Sequence, residues 1–144
     1  MQHQKNKDKW PRGEWDNEPD YLEWVDEETG LLCKIIRRLD LGTLCGYVTV
    51  QLKKDVRLHH FKQVFDVHGT VIYANKDLHG YTLGFGCHHA RDLIPELIMA
   101  PCVRALLGGK RYTTYKNIEY VKHECQKLAK QLKSYTLLEQ RYCS

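Results

Sequence analysis

No stretch of this chain is apolar for the roughly 18 residues that a membrane-spanning helix requires, so no such helix is expected. No two of its six cysteines are closer than 12 residues, which excludes a Cys-x-x-Cys redox pair or zinc knuckle. Neither a glycine-rich phosphate cradle nor a Gly-x-Ser-x-Gly elbow is present, so P-loop and serine-hydrolase chemistry drop out. The polar N-terminal segment carries no apolar core of a secretion signal, and the expected location is the cytoplasm. There the cysteines read as reduced thiols used as small core residues.

What is present suits one modest core. The chain has 144 residues, 42% hydrophobic and 28% charged, which is ordinary for a soluble domain. Charge is unevenly placed. Residues 1–32 hold nine acids and four bases, whereas residues 33–144 hold nine acids and eighteen bases. A basic body favours anionic partners, and the acidic leader could lie upon it or be a disordered or partner-binding arm.

Residues 1–20 mix charges with Pro11, Gly13, Asn17 and Pro19 and lack an apolar period, so they read as a mobile polar arm. Trp10, Trp15, Tyr21 and Trp24 qualify that, because aromatics in such an arm point to docking. Residues 21–144 read as a single α+β domain. Leu31–Arg38 and the strictly alternating Leu44–Leu52 predict a β-hairpin. Val64–Ala74, rich in β-branched and aromatic residues, predicts a third strand with a bulge or close backbone approach at Gly69. Tyr81–Cys87 predicts a fourth, with Tyr81, Leu83, Phe85 and Cys87 on a bulky face and Thr82, Gly84 and Gly86 on a bare one. Leu93–Leu107 predicts a broken helix capped by Asp92. Ile118, Val121, Cys125, Leu128 and Leu132 form an apolar helical stripe over about Lys116–Ser134, with Thr113 or Thr114 as cap. The expected architecture is thus an antiparallel sheet of about four strands packed against a C-terminal helix.

Six of the eight histidines fall between His59 and His89, and this is where chemistry or ligand binding is expected. In a regular strand Asp66 would share a face with His68 and fix its tautomer; the plain alternative is a half-buried histidine bonded to a backbone carbonyl. Gly86-Cys87-His88-His89-Ala90-Arg91-Asp92 lies at a strand end, where sites tend to sit. Arg91 suits a phosphate or carboxylate, unless Asp92 neutralises it. Zinc ligands are available in Cys87 and the histidines, but their spacing fits no known pattern, so no metal or cofactor is assigned. Cys87 with His68 as base is a further alternative. The expected ligand-binding set is Asp66, His68, Gly69, Gly84, Gly86, Cys87, His88, His89, Arg91 and Asp92, around the bare glycine strip as a flat floor. Nucleic acid, resting on net charge and helix lysines alone, is the weaker alternative.

Several segments together resemble a family of small, largely uncharacterised proteins from phages, prophages and their hosts. They are Leu44-Cys45-Gly46-Tyr47-Val48, Asp66-Val67-His68-Gly69, Gly84-Phe85-Gly86-Cys87-His88-His89-Ala90-Arg91-Asp92, Tyr120-Val121-Lys122-His123-Glu124-Cys125 and Leu128-Ala129-Lys130-Gln131-Leu132. The family carries an aspartate where Gly86 stands, a second glycine where Thr70 stands, and a His-Pro pair near His59-His60. If that aspartate is catalytic or metal-binding, this member has lost the role. The resemblance brings no reaction with it. It implies a phage-type context, in which small proteins inhibit or absorb components of bacterial defence, here in the host cytoplasm.

Two functions follow as expectations. The first is a binding protein, a counter-defence inhibitor or sponge that captures an anionic, nucleotide-like ligand or blocks a host protein. The second is a hydrolase, metal-dependent or Cys/His-based, acting on a similar molecule. A homo-oligomer is expected from the small size, the apolar helix seam and the N-terminal aromatics.

Overall fold

A computed structural model of the protein describes residues 7, 10–52, 61–62, 64–98 and 113–142. Five strands, β1 (Tyr21–Val25), β2 (Leu32–Arg37), β3 (Leu44–Val50), β4 (Tyr73–Asp77) and β5 (Gly80–Gly86), form one antiparallel sheet. Their order is β1-β2-β3-β5-β4. The α+β class is as expected, with five strands rather than about four. The addition is β1, an edge strand paired Trp24 to Cys33, in which exposed residues alternate with half-buried ones.

The C-terminal helix (Ile118–Tyr142) covers the inner face of the sheet. Val121, Cys125, Leu128 and Leu132 from its predicted stripe are fully buried with Cys33, Ile35, Val48, Leu83 and Phe85. Gly46 lets the helix come close, since a Cβ there would stand 2.8 Å from the Cys125 sulfur and 2.5 Å from the Phe85 ring. The expected cap at Thr113 or Thr114 is not the one used. Asn117 Oδ1 accepts from the Tyr120 amide at 2.9 Å and Glu18 Oε2 accepts from the Ile118 amide at 2.8 Å. Two otherwise unpaired helix-start donors are thereby satisfied.

The predicted third strand is corrected. Of Val64–Ala74 only Tyr73 and Ala74 lie in a strand, and β4 runs on to Asp77. Phe65, Val67 and Val71 are buried in the core, so the β-branched composition reflects burial rather than ladder pairing. The backbone of Asp66 and His68 finds its partners on helix side chains instead. Gln131 accepts from the Asp66 amide at 2.7 Å and donates to the Asp66 carbonyl at 2.8 Å, while Glu124 accepts from the His68 amide at 2.8 Å. Backbone groups satisfied this way need no neighbouring strand.

Of the expected mobile arm, residues 10–20 are docked. Trp10 and Trp15 are buried, and the Trp10 indole donates to Glu96 at 2.9 Å. Arg37, buried in β2, pairs with Asp20 at 2.7 Å and Glu18 at 3.0 Å. It also donates to the Gly42 carbonyl and the Tyr115 hydroxyl. A buried guanidinium is tolerated only when its donors are matched in this way. Residues 10–20 of the acidic leader thus lie on the basic body. In the predicted broken helix, Pro95–Leu97 form a short 3-10 turn, and residues 99–107 lie outside the described residues.

Candidate functional site

The chain leaves β5 at Gly86, passes through Cys87, His88 and His89, and turns so that Asp92 forms a parallel bridge with Thr114. The Thr114 amide donates to the Arg91 carbonyl at 3.0 Å and the Leu93 amide to the Thr114 carbonyl at 2.8 Å. This clamp holds Asp92 below the approach to the C-terminal helix. Its side chain is only 1% exposed, and it is no helix cap.

Four donors converge on that carboxylate. His68 Nε2 lies 2.8 and 2.9 Å from its two oxygens, His89 Nδ1 lies at 3.1 Å, the His89 amide at 3.0 Å and Lys116 Nζ at 3.1 Å. Burial pushes the Asp92 carboxyl up, but the hydrogen bonds from the His89 amide, His68 and Lys116 outweigh it. The group is held below the ordinary carboxylate range and is ionised at neutral pH.

His68 is engaged at both ring nitrogens, since Nδ1 stands 2.8 Å from the Tyr120 hydroxyl. Its side chain is 17% exposed and that of His89 is 35% exposed, so both reach the surface. The two rings meet edge to face with centroids 5.5 Å apart. His88 stacks on His89 at 5.2 Å. Burial, then the nearby Arg38 and His89, lower the His88 pKa and favour its neutral form. Glu124, buried beside the His68 amide, is paired with Lys127 at 3.2 Å.

The structure keeps part of the predicted set together. His68, His89 and Asp92 form the cluster, with Gly69 and His88 against it. Gly69 adopts φ 76°, and a Cβ there would meet the His89 ring at 2.2 Å. The predicted close approach is therefore to a histidine. Asp66 is not the partner of His68: its side chain is 90% exposed and 3.7 Å from Lys127. Without a strand here, residues two apart share no face. Cys87 is buried in the core, and burial, with Asp92 nearby, raises its thiol pKa far above the ordinary range. That removes the thiolate a Cys/His nucleophile needs. Cys33, Cys45 and Cys125 are likewise buried and free.

The bare strip is not an open floor. Gly84 lies under the Tyr47 ring, whose edge packs on Tyr73, and Gly86 lies under the His88 ring and Ile72. The C-terminal helix packs on the opposite, bulky face. Arg91 is exposed at the rim, and His59-His60 lie outside the described residues.

Sequence reasoning missed Lys116, Tyr120 and Glu124 as site residues. A signal existed: Lys116, Tyr120, Glu124, Lys127 and Gln131 recur at helical spacing beside the apolar stripe. Each touches Asp92 or residues 66–68.

Among the described residues, no helix is long and apolar enough to cross a membrane. Comparison of the chain with known protein families, with characterised proteins and with solved structures gives no significant match. The fold and its cluster therefore define an α+β protein with a buried carboxylate flanked by two histidines.

Proposed function

We propose that the protein is a binder of an anionic, phosphate-bearing ligand, held at the cluster around Asp92. One observation carries the reading: the buried Asp92 carboxylate is ringed by His68, His89 and Lys116, and of these Lys116 and His89 retain N–H capacity it does not use. Lys116 has three N–H groups and directs two, to Asp92 and the Thr114 carbonyl. His89 engages one of its ring nitrogens. Arg91 adds a flexible cation at the rim, and charge-assisted bonds from such groups are the strong ones. The exposed Tyr120 ring and the His88–His89 stack offer flat faces for a nucleobase. In the phage-type setting that the sequence motifs resemble, such a binder would sequester a nucleotide signal of bacterial defence.

A hydrolytic reading has one specific observation in its favour. Tyr120 Oη, His68 and Asp92 form a hydrogen-bonded chain that reaches the surface. If Asp92 accepts the Nε2 proton, Nδ1 accepts from the phenol, and a proton could pass along that line. Against phenolate chemistry, burial and the nearby Glu124 raise the Tyr120 pKa.

Incubation with a panel of mono-, di- and cyclic nucleotides, followed by heat release and chromatography, separates the readings. Intact recovery, with binding weakened about tenfold or more in Lys116→Ala, supports the binder. An altered product lost in His68→Ala supports the hydrolase. Absence of any retained or converted nucleotide overturns both for this ligand class.

A further inference from the structure

We infer that His68, His89 and Asp92 form a site for one divalent transition ion of the zinc type. One donor atom from each of the three residues lies within 4.8 Å of the others. Two of the three spacings are already short, since Asp92 Oδ2 stands 2.9 Å from His68 Nε2 and 3.1 Å from His89 Nδ1. Ligands at about 2.1 Å around a tetrahedral ion stand roughly 3.4 Å from each other. The two rings need only a small shift to meet one ion.

The surroundings orient the ligands as a metal site requires. A histidine that binds metal through one ring nitrogen is held at the other by an outer partner, which fixes ring direction and tautomer. Tyr120 fills that place for His68, accepting from Nδ1 once Nε2 is given to the ion. The His68 amide is fixed by Glu124. His89 is pressed between the backbone of Gly69 and the ring of His88. Lys116 on Asp92 Oδ1 leaves the other oxygen, which His89 now shares, for the ion.

The donor set selects the metal class. Two imidazoles and one carboxylate suit zinc, iron, cobalt or nickel, whereas magnesium and calcium prefer oxygen ligands throughout. Three protein ligands leave at least one coordination position open, the mark of a site that takes water or a substrate rather than a purely structural one. This inference goes beyond the anion-binding reading and does not depend on it, because an ion can be titrated without any nucleotide.

The test uses the full chain, stripped with a chelator and then titrated with cobalt(II) chloride. The expected result is one equivalent bound, with visible d–d absorption that zinc displaces. Zinc should also raise the melting temperature of the stripped protein. His89→Gln and Asp92→Asn should each lower the affinity at least a hundredfold and abolish the zinc-induced shift. His123→Ala, an exposed histidine on the outer helix surface, should retain both. His68→Gln serves as a further variant if Asp92→Asn does not fold. Absence of stoichiometric cobalt in folded wild-type protein overturns the site, as does binding that His89→Gln leaves unchanged. Metal binding without nucleotide retention would keep the ion site and discard the anion reading.

Discussion

The imidazole of His89 rests on the backbone of Gly69, so near that a Cβ there would stand 2.2 Å from the ring. Gly69 follows His68 and turns the chain at φ 76°. One residue therefore provides both the bend that presents His68 and the gap that admits His89.

Gly69→Ala should accordingly cost stability and disturb the cluster together. Alanine at a left-handed φ, facing a ring at that distance, is expected to destabilise by about 1–3 kcal/mol. Urea denaturation reads the first effect. Histidine NMR shifts of His68 and His89 read the second, and a variant with unchanged shifts would contradict the contact.

Acid should weaken the protein through Asp92. Its folded carboxyl titrates below the ordinary value of 3.8, so on acidification the unfolded chain takes up the proton first. The contribution is fully present above about pH 4 and is lost as pH falls through the folded pKa. Asp92→Asn should lose about 1–3 kcal/mol at pH 7 by unmatching its donors. It should also flatten the acid limb of stability against pH, and an unchanged limb would assign the acid sensitivity elsewhere.

A gentler slope is expected nearer neutrality from His88. Its folded pKa is lowered from 6.5, so the unfolded chain again binds the proton more readily. Stability from this group is complete above about pH 6.5 and declines as pH falls below it. Denaturation midpoints between pH 7.5 and 5.5 should fall less in His88→Gln than in the wild type.

Arg37→Leu should cost about 3–5 kcal/mol, because it leaves buried Glu18 without its guanidinium partner and buried Asp20 with Lys7 alone, 3.1 Å away. The loss should expose the Trp10 and Trp15 region, read as a red shift in tryptophan fluorescence before global unfolding. Simultaneous loss of all signals would show instead that residues 10–20 unfold only with the sheet.

On the C-terminal helix, Leu128→Asp should destabilise by about 3 kcal/mol or more, since Leu128 is fully buried in the seam. His123→Ala, on the outer surface, should change stability by less than about 0.5 kcal/mol. Equal losses would mean that the helix presents another face to the sheet.

Elements whose pattern is local were legible in the order of the amino acids. Alternation in Leu44–Val50 and Gly80–Gly86 marks β3 and β5, and the stripe from Ile118 to Leu132 marks the helix face. Both follow from which residues repeat at a period of two or near 3.6. The histidine-rich stretch and the buried cysteines were legible for the same reason, as composition. Which carboxylate holds His68 depends instead on how distant segments meet in the folded chain. Asp66 stands two residues away and faces solvent, whereas Asp92 stands 24 away and meets its Nε2 at 2.8 Å. The same holds for residues 64–72, which are no strand: the backbone of His68 and Asp66 is met by Glu124 and Gln131, 56 and 65 residues later in the chain. Hydrophobic period records which side of a segment is buried, but not what meets it there. That partner is chosen when the helix folds back across the sheet.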